Sequence, residues 1–167
     1  KALPSVIPAA SQGTMNNLLV GGHNHLQNKP YAYYETIGGG MGARPGKNGL
    51  SGIHTHMTNT MNTPIEALEL QFPFRILRYS LRPNSGGKGE YTGGDGMLRE
   101  MELLGPATVT ILSECRRRAP YGLHGGEPGA LGQNVLFRDG EEIFLPAKVT
   151  FQVDEGDILS MRTPGGG

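Results

Sequence analysis

The chain has 167 residues, with 15 Lys and Arg against 15 Asp and Glu, so its formal net charge is zero. That balance excludes a global field drawing in nucleic acid or anionic membrane. The apolar runs are only a few residues long, too short for a spanning helix.

With 27 glycines, 12 prolines and no Trp, the composition is that of many short strands joined by turns. Its one cysteine, Cys115, makes no internal disulfide, which fits a reducing, cytoplasmic setting. The chain starts at Lys1 without an initiator Met or a signal-peptide plan, and stops at "RTPGGG", which reads as a turn being entered. A piece of a longer protein is expected.

The first apolar run, in "SQGTMNNLLVGG" from Ser11 to Gly22, closes on a glycine pair. His23 and His25 follow in "GGHNHLQNKP", a polar, Pro-bounded loop expected to face solvent. "KPYAYYETIGGGMG" from Lys29 reads as a strand running into a glycine turn. In "NTPIEALEL" Thr63 is placed at an N-cap, Pro64 at the first helical position and Glu66 at the third, closing a capping box. Pro73 limits that helix to about two turns, because the residue before a proline avoids helical geometry.

Beyond Pro73 the period is two. Leu77, Tyr79 and Leu81 alternate with Arg78, Ser80 and Arg82, as in a half-buried strand. "TVTILSEC" alternates likewise, and puts Cys115 in phase with Val109, Ile111 and Ser113 as a buried, inert thiol. Asp139-Gly140 sits between two apolar-patterned arms, the signature of a type I′ hairpin. "KVTFQV" points Val149, Phe151 and Val153 one way, and "DEGD" turns the chain into "ILSMR". The fold class is mainly β (α+β): an antiparallel β-rich body with glycine-rich loops and one or two short helices. Residues 1–73 form a mixed, glycine-rich segment carrying the candidate site, and 74–167 the antiparallel region, within a single fragment.

Two glycine-rich stretches invite a phosphate-loop reading, and both depart from it. In "SGGKGEYTGG" Gly87-Lys88 is followed by Gly89, where a Walker-type loop needs Ser or Thr to reach magnesium. In "IGGGMGARPG" the spacing from Gly38 through Gly40 to Ala43 imitates a dinucleotide fingerprint, but Pro45 follows and no helical pattern does. Glycines here let the backbone turn sharply or approach a ligand closely.

The chemically richest stretch is "GIHTHMTNTMNTPIEALE" from Gly52. His54 and His56 are two apart, so in extended chain both project from one face, as a metal site on a strand requires. Asn59 and Asn62 add amide oxygens, and the start of the helix adds free N–H groups that favour an anion. Further ligands would come from elsewhere, with Glu35 and His124 the nearest candidates; hydrogen-bonded loop histidines are the alternative. Arg116, Arg117 and Arg118 follow Cys115 and either clamp a carboxylate or phosphate or face water.

Taken together, "PAASQGTMNNLLVGG", the run from Tyr31 to Glu69, "SGGKGEYTGGDGMLRE" and "LSECRRRAPYGLHGGEPG" resemble the C-terminal part of the hydantoinase B family. The resemblance implies an ATP-dependent cyclic amide hydrolase opening a small lactam or hydantoin ring. Pyroglutamate and N-methylhydantoin are typical substrates of such enzymes. A hydantoinase A-type subunit or domain would bind ATP and phosphorylate the amide before water opens the ring, so ATP belongs to the partner.

It also implies a divalent metal ion. His56, at the centre of "THMTNT", and His54 would be ligands closing a site built mostly from segments outside this chain. Asn59, Thr60, Gly39 and Gly40 would contact substrate, and Glu35 would be a base. Related acetone and acetophenone carboxylases use the same pair of modules, which leaves carboxylation as a second reading. A cupin-type metal-binding barrel, suggested by His54-x-His56 and "EGDILSMRTPGG", and a non-catalytic interface domain built on the glycine-rich loops are further alternatives.

Overall fold

A computed structural model describes residues 3, 6–25, 27–58 and 60–167. The described elements are β1 (Asn16–Asn24), β2 (Lys29–Thr36), α1 (Ile65–Gln71), β3 (Phe74–Leu81), β4 (Met97–Leu103), β5 (Ala107–Ser113), β6 (Gln133–Arg138), β7 (Glu141–Leu145), β8 (Lys148–Val153) and β9 (Ile158–Arg162). Every strand pairing is antiparallel. They make a four-stranded sheet, β2-β1-β5-β8, and a five-stranded sheet, β3-β4-β9-β6-β7. The mainly β class with one short helix is as expected. Antiparallel pairing reaches back to Asn16, so strands from before and after residue 73 share the first sheet. Among the described residues no helix is long and apolar enough to cross a membrane.

Alternation explains the core. Leu18 and Val20 of β1 and Val109 and Ile111 of β5 point inward from the first sheet; Phe74, Met101, Leu103, Leu136, Leu159 and Met161 do so from the second, in one apolar cluster. Each such buried side chain contributes roughly 1.5–3 kcal/mol. Phe72 and Phe74 stack at 5.6 Å, and Tyr31 and Tyr33 meet them edge-on or tilted. The hairpin at Asp139-Gly140 forms as its sequence requires, with φ of 52° and 82° and Arg138 opposite Glu141.

Three local expectations change. Helix α1 begins at Ile65, with Pro64 at the N-cap in extended conformation (φ −56°, ψ 143°) and no side-chain cap. The capping box does not form, because the Thr63 N–H goes to Glu35 Oε1 (2.5 Å). Strand β3 exists, but Leu77, Tyr79 and Leu81 are 48%, 36% and 47% exposed. A bulge between Ile76 and Arg78 breaks the register with β4. Finally, β5 ends at Ser113, and Cys115 lies in the following loop at φ 53°, half-buried. Burial, with Glu114 adding, pushes its thiol up, which leaves it a poor nucleophile as expected.

The glycine-rich stretches pack on one another. Outside any strand, Met41 N–H donates to Leu50 O (2.9 Å), Gly94 to Met41 O, Gly166 to Gly94 O and Gly87 to Gly166 O (each 2.8 Å). The backbones run too close for side chains: a Cβ on Gly94 would sit 1.9 Å from Leu50 O, on Gly40 2.0 Å from Gly94 O, and on Gly165 1.9 Å from Ser85 O. Close approach, not positive φ, is what demands glycine at these positions.

Candidate functional site

The stretch from Gly52 to Asn62 is a loop held at both ends. At its start Ile53 and Gly39 exchange backbone hydrogen bonds of 2.9 Å each. Gly52 takes φ 62°, beside Leu81. His54 follows, half-buried, and both of its ring nitrogens are buried without a hydrogen-bond partner among the described residues. The Thr55 hydroxyl is likewise buried and unpaired. Thr58 then closes a turn onto Thr55 O through its N–H (3.3 Å) and hydroxyl (2.9 Å). His56 sits in that turn at φ 60°, exposed.

The extended geometry expected to align His54 with His56 is therefore absent. A left-handed residue at the second histidine turns it away from strand geometry. Of the two, His54 is the enclosed one.

At the far end of the loop lies a buried charge network. Glu35 on β2 and Arg99 on β4 form an ion pair between the two sheets, with side chains 5% and 1% exposed. Glu35 Oε2 accepts from Arg99 Nη1 and from the Tyr33 hydroxyl. Its Oε1 accepts from Asn62 Nδ2 (3.2 Å) and the Thr63 N–H (2.5 Å). Four donors thus fill the lone pairs of one carboxylate. Arg99 also lies 5.1 Å over the Tyr79 ring, while its Nε has no partner among the described residues. Burial pushes the phenols of Tyr33 and Tyr79 up, which keeps Tyr33 protonated as a donor to Glu35. Asn62 Oδ1 accepts from Gly38 N–H (3.3 Å), tying the loop to the glycine segment.

A second polar chain supports the start of the loop. Gln12 Nε2 donates to Ile53 O (3.2 Å), Asn16 Nδ2 to Gln12 Oε1 (2.7 Å), and Arg116 Nη1 to Asn16 Oδ1 (2.5 Å). Gly39 and Gly40 are buried in protein: a Cβ on Gly39 would meet Gln12 Oε1 at 2.1 Å. Thr60 is exposed, and Asn59 lies outside the described residues. His23 and His25 are exposed with rings 5.2 Å apart, His23 at the end of β1. His124 is exposed in a turn at φ 50°. Among the described residues no three His, Cys, Asp or Glu side chains are grouped to hold a metal ion. The sequence pointed to Arg116 only as a possible anion clamp, and Arg99 and the amides Gln12 and Asn16, which also organise this region, are added by the structure. Arg99 carried a signal: it lies in phase with Met97, Met101 and Leu103, an arginine on an inward apolar face.

The sequence model described as Hydantoinase B/oxoprolinase matches residues 1–167. The chain belongs to the hydantoinase B/oxoprolinase family. It is 49% identical over 160 residues to 5-oxoprolinase 1 of Arabidopsis thaliana, covering 95% of this chain and 12% of that protein. It is 32% identical over 172 residues to a Pseudomonas sp. protein named as the B component of a D-/L-hydantoinase, covering 100% of this chain and 29% of that protein. The chain therefore spans less than a third of these relatives' length. Among solved structures, the ATP-dependent caprolactamase of Pseudomonas jessenii superposes with a TM-score of 0.77 at 26% identity, covering 99% of this chain and 30% of that one. Acetone carboxylase shares the fold, with a TM-score of 0.71 at 20% identity over 96% of this chain and 26% of its own.

Proposed function

We propose that this chain is the C-terminal part of an ATP-dependent hydrolase acting on a small lactam or hydantoin, working in the cytoplasm with a hydantoinase A-type partner that binds ATP. Membership of the hydantoinase B/oxoprolinase family supports the class of reaction. The name of the Pseudomonas sp. relative, one component of a hydantoinase, supports a partner. What carries the reading to particular residues is His54, whose two ring nitrogens are buried and have no hydrogen-bond partner among the described residues at the base of the 52–62 loop. A buried polar group without a partner is costly, so an imidazole kept in this state is one reserved for a ligand.

His54 fits one position of a divalent metal site whose remaining ligands lie outside this chain, with His56 on the exposed turn beside it. The ion would supply Lewis acidity toward a carbonyl or water. The chain's own part is positional. Glu35, expected as a base, has its acceptor sites filled by Arg99, Tyr33, Asn62 and Thr63, and we assign it to holding the loop. Asn62 and Gln12 fix the two ends, so that His54 is presented in one orientation.

The test is made in the full-length subunit with its partner. His54→Ala should lower metal content and reduce ATP-coupled turnover by about tenfold or more with the melting temperature preserved, as even residues behind metal ligands change activity by that factor. His56→Ala should have a smaller effect on metal content, and His23→Ala none. Full metal and full turnover in His54→Ala would remove the assignment.

A further inference from the structure

Around residues 131–134 three arginines converge without a carboxylate partner. Arg82 Nη1 donates to the carbonyls of Leu131 (3.2 Å) and Thr163. Arg162 Nη1 donates to Gln133 Oε1 (3.3 Å) and its Nε to the Ser160 hydroxyl (3.4 Å). Arg116 donates through Nε and Nη2 to Asn134 Oδ1 (3.2 and 2.8 Å), and through Nη1 to Asn16 Oδ1 (2.5 Å) and the Glu114 carbonyl (2.7 Å). Its head group lies so close to the chain that a Cβ on Gly132 would meet Nη1 at 2.4 Å.

Every one of these acceptors is neutral. Arg116 makes four such bonds, and no carboxylate among the described residues pairs with its charge. Among the described residues the ion pairs are Arg75–Glu102, Arg99–Glu35 and Arg138 with Asp154 and Asp157; none involves this group. Three carboxylates lie near, and each is engaged elsewhere: Glu100 Oε1 accepts from the Ser160 hydroxyl (3.2 Å). Asp95 Oδ1 accepts from the Ser85 and Gly86 N–H groups (2.9 Å each), and Glu114 Oε2 from the Thr14 N–H (2.5 Å). Burial, and to a smaller degree the charge of Arg82, push the Arg116 guanidinium down to about 10. Burial and the charge of Arg162 push Arg82 in the same direction. At neutral pH Arg82 and Arg116 are still cations, partly stripped of water.

Arg116 is shared with an open groove of about 660 Å³, lined by Glu114, Cys115, Arg116, Arg117, Arg118 and Ala147. Arg117 and Arg118 are exposed at its edge. The volume is that of a site for a small organic molecule and exceeds what a bare phosphate needs.

We propose that this groove is an oxyanion site, taking a small molecule through a phosphate or carboxylate group, with Arg116 as the half-buried cation and Arg117 and Arg118 as the exposed ones. The planar guanidinium forks of Arg117 and Arg118 match both oxyanions, and Arg116, whose donors are engaged by neutral acceptors, adds its partly desolvated charge. Arg116 is linked to the start of the His54 loop through Asn16 and Gln12.

Calorimetric titration of the full polypeptide carrying this chain, with inorganic phosphate in one arm and succinate in the other, tests it. Saturable binding near one per chain is expected, weakening as sodium chloride is raised. Tighter binding of phosphate assigns the site to phosphorylated molecules, and tighter binding of succinate to carboxylates. The Arg117→Gln/Arg118→Gln double variant should bind about tenfold more weakly or worse, since bonds to charged groups are lost. Its unfolding midpoint without anion should be unchanged. Arg116→Gln, which removes the charge, should also weaken binding; if it fails to fold, the double variant decides. Absence of saturable binding of both probes, or wild-type affinity in the double variant, overturns the proposal.

Discussion

Glu35 and Arg99 face each other from different sheets, each on a strand whose neighbours in phase are apolar or aromatic. Removing one partner of such a pair leaves the other charged and buried. Glu35→Gln should therefore destabilise the chain by about 3–5 kcal/mol, measured by urea unfolding. Pairing it with Arg99→Met should recover part of that loss, because the stranded charge is gone too. Additive losses in the double variant would show that the pair is not the coupled unit drawn here. At this scale the sequence displayed the residues and hid their pairing. Glu35 is visible beside Tyr33, and Arg99 between Met97 and Met101, yet 64 positions separate the two in the chain. His54 was visible as well; only its enclosed ring nitrogens distinguish it from exposed His56.

Elements were more legible than their faces. The Asp139-Gly140 hairpin is set by two adjacent residues that tolerate positive φ, so local chemistry decides it. Nothing lies within 4 Å of a Cβ built on Gly140, which isolates backbone strain from any clash. Gly140→Val should cost about 1–2 kcal/mol, the penalty for placing a side-chain-bearing residue in the left-handed region. An unchanged urea midpoint would mean that the turn adapts. Strand β3 shows the converse. Its alternation was readable, but the bulge at Leu77 and its edge position in the five-stranded sheet leave the apolar residues outward. The helix was legible to within a turn, while its cap was not. The backbone donor that a capping box would satisfy is taken by Glu35 from another element.

On the scale of the whole molecule, the glycine segments 38–42, 86–87, 93–96 and 165–167 converge from distant parts of the chain and bond to one another through bare backbone. Gly94→Ala should be more damaging than Gly140→Val. Its added Cβ would stand 1.9 Å from a carbonyl oxygen, with backbone as its nearest neighbours. A loss of about 3 kcal/mol or more is expected in urea unfolding, at or above the upper end for overpacking. If Gly94→Ala unfolds at the wild-type midpoint, the segments do not pack as closely as described.

The sequence by itself determined the strand-and-turn plan, a short helix after Pro64, the hairpin and the resemblance that family membership bears out. Those depend on alternation, turn residues and motif order, which are properties of neighbours along the chain. Tertiary structure alone decided what the glycines are for, where Glu35 spends its lone pairs and which histidine is enclosed. Each depends on a backbone or side chain arriving from far away in sequence, and no spacing within a local segment records that arrival.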